Sequence, residues 1–179
     1  MTRYALLLRG VNVGKNNSLP MAELRAMLSE LGCTDVQTYV QSGNAVFDTK
    51  LRAAELTRAV ETALEGYMGR PIAITLRTGK QMRAIIQANP FEGVATNPTF
   101  LTVTFLARAP TSTEVAPLGA KEWKPERFQT IGKEIYAWHP NGQGRSPLAT
   151  AIGKLRLRGA VTTRNWRTVL KLSEMLSRD

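Results

Sequence analysis

The pattern of apolar and polar positions divides the first half of the chain into alternating strands and helices. Residues 4–8 are apolar at every position, which predicts a strand that is covered on both faces. Apolar residues at helical spacing predict helices over 20–31 and 51–67. Two β-rich runs around Ser42-Gly43 predict a hairpin, and residues 71–77 predict a last strand.

The second half repeats this order less regularly. A linker helix and a loop over 79–98 lead to a strand at 100–106, a short helix and a hairpin closed by Gly132-Lys133. Ser146 and Pro147 are typical of a helix N-cap and of the first helical position. The sequence therefore predicts an α+β fold with two ferredoxin-like (βαββαβ) units in tandem, an α/β plait formed by duplication. The predicted units are 1–78 and 99–179, joined by 79–98.

Composition restricts the chemistry that is available to the chain. It has 179 residues, enough for one domain or two small ones, and 43% of them are hydrophobic. Cys33 is the only cysteine and His139 the only histidine, so we predict no internal disulfide, no metal site and no cofactor. No apolar run approaches the length of a membrane span, and no signal peptide is recognisable, which predicts a cytoplasmic protein.

The positive charge is concentrated near the C-terminus. The chain has 24 Lys and Arg against 14 Asp and Glu, and residues 145–179 carry eight basic and two acidic side chains. This block is either a solvated cationic surface or a surface that attracts polyanions. The residues predicted for the polyanion surface are Lys154, Arg156, Arg158, Arg167 and Lys171, with Arg164 beside them.

The loop that follows the first predicted strand contains glycines and a lysine, as phosphate-binding loops do. Only three residues separate Gly10 from Gly14, and Asn16 follows Lys15 where a phosphate loop needs Ser or Thr, so nucleotide hydrolysis is not predicted. The loop either needs glycine flexibility alone, or offers backbone N–H groups to an anion near Arg9 and Lys15.

Turns and caps explain two further polar motifs only in part: they explain Ser42 and Asn44 well and Gln41 less well, and they leave Asn165 and the two threonines before Arg164 unexplained. The first is the hairpin tip Gln41–Asn44, where a nucleophilic role for Ser42 would need a base, and the only histidine lies in the other half. The second is Thr162–Trp166, where we expect Thr163 to cap the last helix and Arg164 to bind an anion or pair with a carboxylate. By hypothesis, the loop, the hairpin tip or both face the start of the last helix across a groove between the halves. The predicted ligand-binding residues are Arg9, Asn12, Lys15, Gln41, Ser42, Asn44, Ser146, Thr163, Arg164 and Asn165.

Several of these motifs together resemble one bacterial family. They are the runs Leu7–Gly14, Met21–Leu24, Thr38–Asn44 and Ala160–Leu172, which are similar to motifs of the family catalogued as domain of unknown function 1697. The resemblance implies two ferredoxin-like halves and brings no established activity, cofactor or substrate. The chain departs from the family's pattern at Ser146-Pro147-Leu148, where the resemblance leads us to expect a lysine in the middle.

These observations leave three classes of function open. The first is a binding module for an anionic ligand, either phosphate-bearing or a nucleic acid, although the aromatic motif of RNA-recognition domains is absent from the sequence. The second is a small metal-independent enzyme with a site between the two halves. The third is a structural or partner-binding protein. No membrane partner is predicted, and the sequence leaves the oligomeric state undecided.

Overall fold

The computed structural model describes residues 1–14 and 18–177. It contains two four-stranded antiparallel sheets with helices, so the chain is α+β with two similar halves. The chain divides into two compact units, one formed by residues 1–83 with the chain from 172 onward, the other by 84–171. The boundaries 1–78, 79–98 and 99–179 stay a prediction about the folding units.

The first sheet has the strand order β2-β3-β1-β4. Leu6 and the alternating positions of β1 pack against Leu24 of the first helix and Leu56 of the second. Ala5 and Leu7, on the opposite face of β1, have no exposed surface either, which confirms the predicted burial of both faces. The elements are β1 (Thr2–Leu8), α1 (Met21–Glu30), β2 (Thr34–Thr38), β3 (Asn44–Thr49), α2 (Ala53–Met68), β4 (Ile74–Thr78) and α3 (Gly79–Gln87).

The second sheet has the equivalent order β6-β7-β5-β8. Its core is formed by Ile135 and Ala137 of β7, which pack with Leu118, Leu148 and Ile152 from two helices. The elements are β5 (Leu101–Leu106), α4 (Ser112–Gly119), β6 (Arg127–Ile131), β7 (Glu134–Trp138), α5 (Pro147–Gly153), β8 (Val161–Asn165) and α6 (Trp166–Leu176). Within the described ranges, no helix is long and apolar enough to cross a membrane.

Two of the predicted helix caps are confirmed and a third is wrong. Ser146 caps α5, since its Oγ accepts a hydrogen bond from the backbone N–H of Ala149 at 2.8 Å. Thr78 and Gln81 exchange the two hydrogen bonds of a capping box. Thr163, by contrast, lies inside β8 rather than at the start of α6.

Pairing with β5 explains why the last helix is capped by a later residue than predicted. The register joins Thr104 to Thr163 and Thr102 to Asn165, so the strand continues to the residue before Trp166. Asn165 then takes the role that was predicted for Thr163, because its Oδ1 accepts a hydrogen bond from the backbone N–H of Thr168 at 3.0 Å.

Candidate anion-binding surface

In the first unit, the loop after β1 and the hairpin tip predicted to bind a ligand are joined by one side chain. The Nδ2 group of Asn12 donates to the carbonyls of Leu19 and Gln41, and its Oδ1 accepts from the N–H of Leu19 at 2.8 Å. Asn12 itself has a φ of 56°, a left-handed conformation that asparagine tolerates better than most residues. Its amide therefore links the loop to Leu19, just before α1, and to Gln41 in the hairpin tip. Arg9 is exposed, and the predicted Lys15 lies outside the described residues.

The hairpin tip also satisfies its own backbone. Asn44 is completely buried and donates from Nδ2 to the carbonyl of Tyr39 and to the hydroxyl of Ser42. Gly43 has a φ of 79°, and a Cβ atom there would lie 2.6 Å from a methyl group of Val11, so the close approach requires glycine. These contacts explain the serine, glycine and asparagine as structural residues, while the side chain of Gln41 remains exposed.

The three residues predicted at the start of the last helix do not point to one ligand position. The hydroxyl of Thr163 lies 2.9 Å from that of Thr104, on one face of the second sheet. Arg164 is the next residue of the strand, so its side chain leaves on the opposite face. Its Nη1 donates to the carbonyl of Thr163, and burial lowers its pKa to about 10. Asn165 is occupied as the helix cap.

Ser146 belongs to a buried polar cluster whose other members, Glu126 and His139, are not among the predicted site residues. His139, which has no exposed surface, places Nδ1 2.8 Å from a carboxylate oxygen of Glu126 and 2.9 Å from the hydroxyl of Ser146. The Ser146 hydroxyl donates to the same carboxylate, whose other oxygen accepts from the N–H of Leu148. Burial alone would raise the pKa of Glu126, but these hydrogen bonds outweigh it and lower the pKa.

This cluster has the residue types of a catalytic triad but a different geometry. In a triad, one ring nitrogen of the histidine faces the serine and the other faces the carboxylate. Here both partners meet Nδ1, and Nε2 lies 3.1 Å from the hydroxyl of Thr102. Ser146 is also occupied as a helix cap. The arrangement fastens the segment before β6 to the start of α5, and it does not activate a nucleophile.

A cavity of about 350 Å³ lies over this cluster, and its position bears on anion binding. Glu126, Ser146 and Pro147 form part of its wall. Pro147 stands at the position where the family resemblance leads us to expect a lysine. The Glu126 carboxylate already accepts the Leu148 N–H at the start of α5. The cavity is also lined by Lys121, Lys124 and Arg145 and by Glu122, so an anion here would meet side chains of both charges.

The basic residues predicted for the polyanion surface separate into two groups. Lys154, Arg156 and Arg158 follow α5 at alternate positions and are all exposed, so they form a continuous cationic stretch that we call the basic segment (Lys154–Arg158). Arg167 and Lys171 lie on α6, the first exposed and the second half-buried. Among residues 1–14 and 18–177, no carboxylate forms an ion pair with the three side chains of the basic segment.

The side chains between these cations fix the backbone of the basic segment. Leu155 and Leu157 are half-buried and pack against the core of the second unit. The backbone N–H of Arg158 donates to Glu114 at 3.2 Å. The three cations are thus presented to solvent from an anchored backbone, which reduces the entropy that a ligand must remove.

Comparison with known proteins agrees with the two-half architecture. Residues 1–136 match the model of a family described as "Protein of unknown function (DUF1697)". The chain is similar to the solved structure titled "The structure of conserved bacterial protein SP0830 from Streptococcus pneumoniae", with 28% identity and a TM-score of 0.82 over 98% of this chain and 99% of that one. No curated protein matches the chain. Since the family model covers most of its length, the chain belongs to the DUF1697 family.

Proposed function

We propose that this protein is a binding module for a phosphate-bearing anion and that the basic segment makes the contact. The observation that carries the proposal is the presence of three exposed cations within five residues, none of them in an ion pair with a described carboxylate. Unpaired cations on one surface sum their potentials and attract polyanions. Two of the three are arginines, whose guanidinium groups suit bidentate contact with phosphate.

Single-stranded nucleic acid is the polyanion that we propose as the test ligand. Its phosphates repeat along a flexible chain and can follow the three cations. We also propose that each half is a ferredoxin-like unit and that the halves arose by duplication. The equivalent strand orders β2-β3-β1-β4 and β6-β7-β5-β8 support this. A cytoplasmic location stays a prediction.

The alternative of a small enzyme is less well supported. The cluster of Glu126, His139 and Ser146 brings suitable residue types together, but the nitrogen that would serve as the base faces Thr102. The groups with potential chemistry are consequently engaged in holding the fold. The three charged side chains of the basic segment have no such structural role among the described residues.

The experiment is a titration of a labelled single-stranded oligonucleotide at several salt concentrations. The triple variant K154Q/R156Q/R158Q should weaken binding and flatten the plot of log K against log salt by about 2, since each lost phosphate contact with a single strand contributes about 0.7. The matched control is K50Q/R58Q/K80Q, which removes the same charge from three exposed positions of the first unit.

The control should retain nearly the full salt slope, because its cations are not part of the proposed contact. If the oligonucleotide does not bind at low salt, the proposal of single-stranded nucleic acid as the ligand is wrong. It is also wrong if both triple variants lose the same affinity, since that would show only a general effect of net charge.

A further inference from the structure

A second cavity, of about 530 Å³, opens next to the basic segment in the second unit. Its apolar walls are formed by Pro117 of α4, Ala151 of α5 and Leu155 of the basic segment. Lys154 and Arg156 also line it, so two of the three proposed anion contacts adjoin an apolar space. Cavities of 300–1,000 Å³ are of the size that binds small organic molecules.

One carboxylate, that of Glu114, also lines the cavity, but its hydrogen-bonding capacity is already used. One of its oxygens accepts from Nη2 of Arg108 at 2.6 Å and from the N–H of Arg158. The other accepts from the N–H and the hydroxyl of Thr111. The bond from Arg108, followed by the backbone bond from Thr111, lowers the pKa of Glu114 to about 2.

The charge of Glu114 is therefore balanced by Arg108, with which it forms an ion pair. This leaves Lys154 and Arg156 as the lining cations without an ion-pair partner among the described residues. A ligand that matches these features has an apolar body for the walls and a negative group for the two cations. A bare phosphate would leave the apolar walls in contact with water, and a neutral ring would leave the cations without an anion.

We propose that this cavity binds a small organic anion in which a flat ring system carries a phosphate. The proposal rests on the proposed function, because Lys154 and Arg156 supply the contact with the phosphate in both. It adds that the ring occupies the space between Pro117, Ala151 and Leu155. The protein would then recognise an individual phosphorylated ring compound, and would not respond only to the density of negative charge.

The test uses three probes with the full chain: 1-naphthyl phosphate, 1-naphthol and inorganic phosphate. Calorimetric titration should show that 1-naphthyl phosphate binds at least about 10-fold more tightly than either of the others, a difference of about 1.4 kcal/mol. Thr113 is exposed on α4 and lines the cavity, so T113W should place an indole in the space for the ring. We expect this substitution to weaken the binding of 1-naphthyl phosphate by about 10-fold or more.

The matched control is A116W, which adds the same side chain at an exposed position of α4 that does not line the cavity. It should leave the affinity within about 2-fold. K154Q/R156Q should reduce the affinity for 1-naphthyl phosphate to that for 1-naphthol. Equal binding of 1-naphthol and 1-naphthyl phosphate, or equal effects of T113W and A116W, would overturn the inference.

The failures of the two proposals are distinguishable. If 1-naphthyl phosphate does not bind but the oligonucleotide still binds through the basic segment, the cavity proposal alone is wrong. If neither probe binds at low salt, the proposed function is wrong as well. Binding of 1-naphthyl phosphate that T113W weakens and A116W does not would support the cavity as the site, whatever the oligonucleotide shows.

Discussion

Replacing Asn12 should destabilise the first unit, and the structure gives the size of the effect. The amide makes three hydrogen bonds with backbone groups of Leu19 and Gln41. At about 1 kcal/mol for each, their loss costs about 2–3 kcal/mol. In Asn12→Ala, the left-handed φ of 56° adds about 1 kcal/mol, because asparagine adopts this conformation more readily than alanine does. The expected total is about 3–4 kcal/mol.

A second substitution at the same position separates these two contributions. Asn12→Gly removes the same hydrogen bonds but relieves the left-handed strain, so it should cost less than alanine does. The matched control is Asn141→Ala, at an exposed position, which should change the free energy of unfolding by less than about 0.5 kcal/mol.

The assay must report on the first unit. All three tryptophans, Trp123, Trp138 and Trp166, lie in the second unit, so their fluorescence would report mainly on the wrong part of the chain. Native-state hydrogen exchange at the Leu19 amide, whose acceptor is Asn12, follows the affected contact directly. If Asn12→Ala and Asn12→Gly both leave this exchange and the urea midpoint unchanged, the reasoning about the amide is refuted.

Two more predictions concern single side chains of the second unit. Glu126→Gln should lower the free energy of unfolding by about 2–3 kcal/mol at pH 7, since the hydrogen bonds from His139, Ser146 and Leu148 favour a carboxylate. Because the folded pKa is lowered, that stability is present above the unfolded pKa of about 4.3 and is lost as the pH falls through the folded value. Urea unfolding should therefore show the gap between variant and wild type closing in acid, and a gap that is independent of pH would contradict this account. Asn165→Ala should cost about 1 kcal/mol as a lost helix cap, and an unchanged thermal midpoint would show that its bond to Thr168 contributes nothing.

Much of the fold could be predicted because the signals for it are local. The caps at Ser146 and at Thr78 with Gln81 depend on residues three positions apart, and both are confirmed. The burial of both faces of β1 follows from its unbroken apolar run. The prediction of Thr163 as the cap of the last helix was wrong because the end of β8 depends on its pairing with β5, which no local pattern contains.

The buried cluster around His139 could not be predicted for the same reason. Glu126 and Ser146 come together only because the chain passes through β6 and β7 between them. No motif spacing marks the two residues. The local pattern predicts Ser146 as a helix cap and as a ligand contact, and it offers His139 only as a distant base for Ser42. The observed partner of His139 is Ser146, whose hydroxyl also caps α5. A residue predicted to bind a ligand therefore has a structural role.

Side chains that hydrogen-bond to the backbone are weaker candidates for ligand binding than side chains that do not. Asn12, Asn44 and Asn165 were predicted as ligand contacts, yet each side chain bonds to a backbone group in the structure. Such groups cannot serve a ligand without first giving up a structural bond, which costs about 1 kcal/mol or more. The charged groups of the basic segment make no such bond to the described residues, so an anion could bind them without the loss of a structural hydrogen bond. An anion bound by these side chains would therefore cost the fold no structural hydrogen bond, which supports the proposal that Lys154–Arg158 is the binding segment.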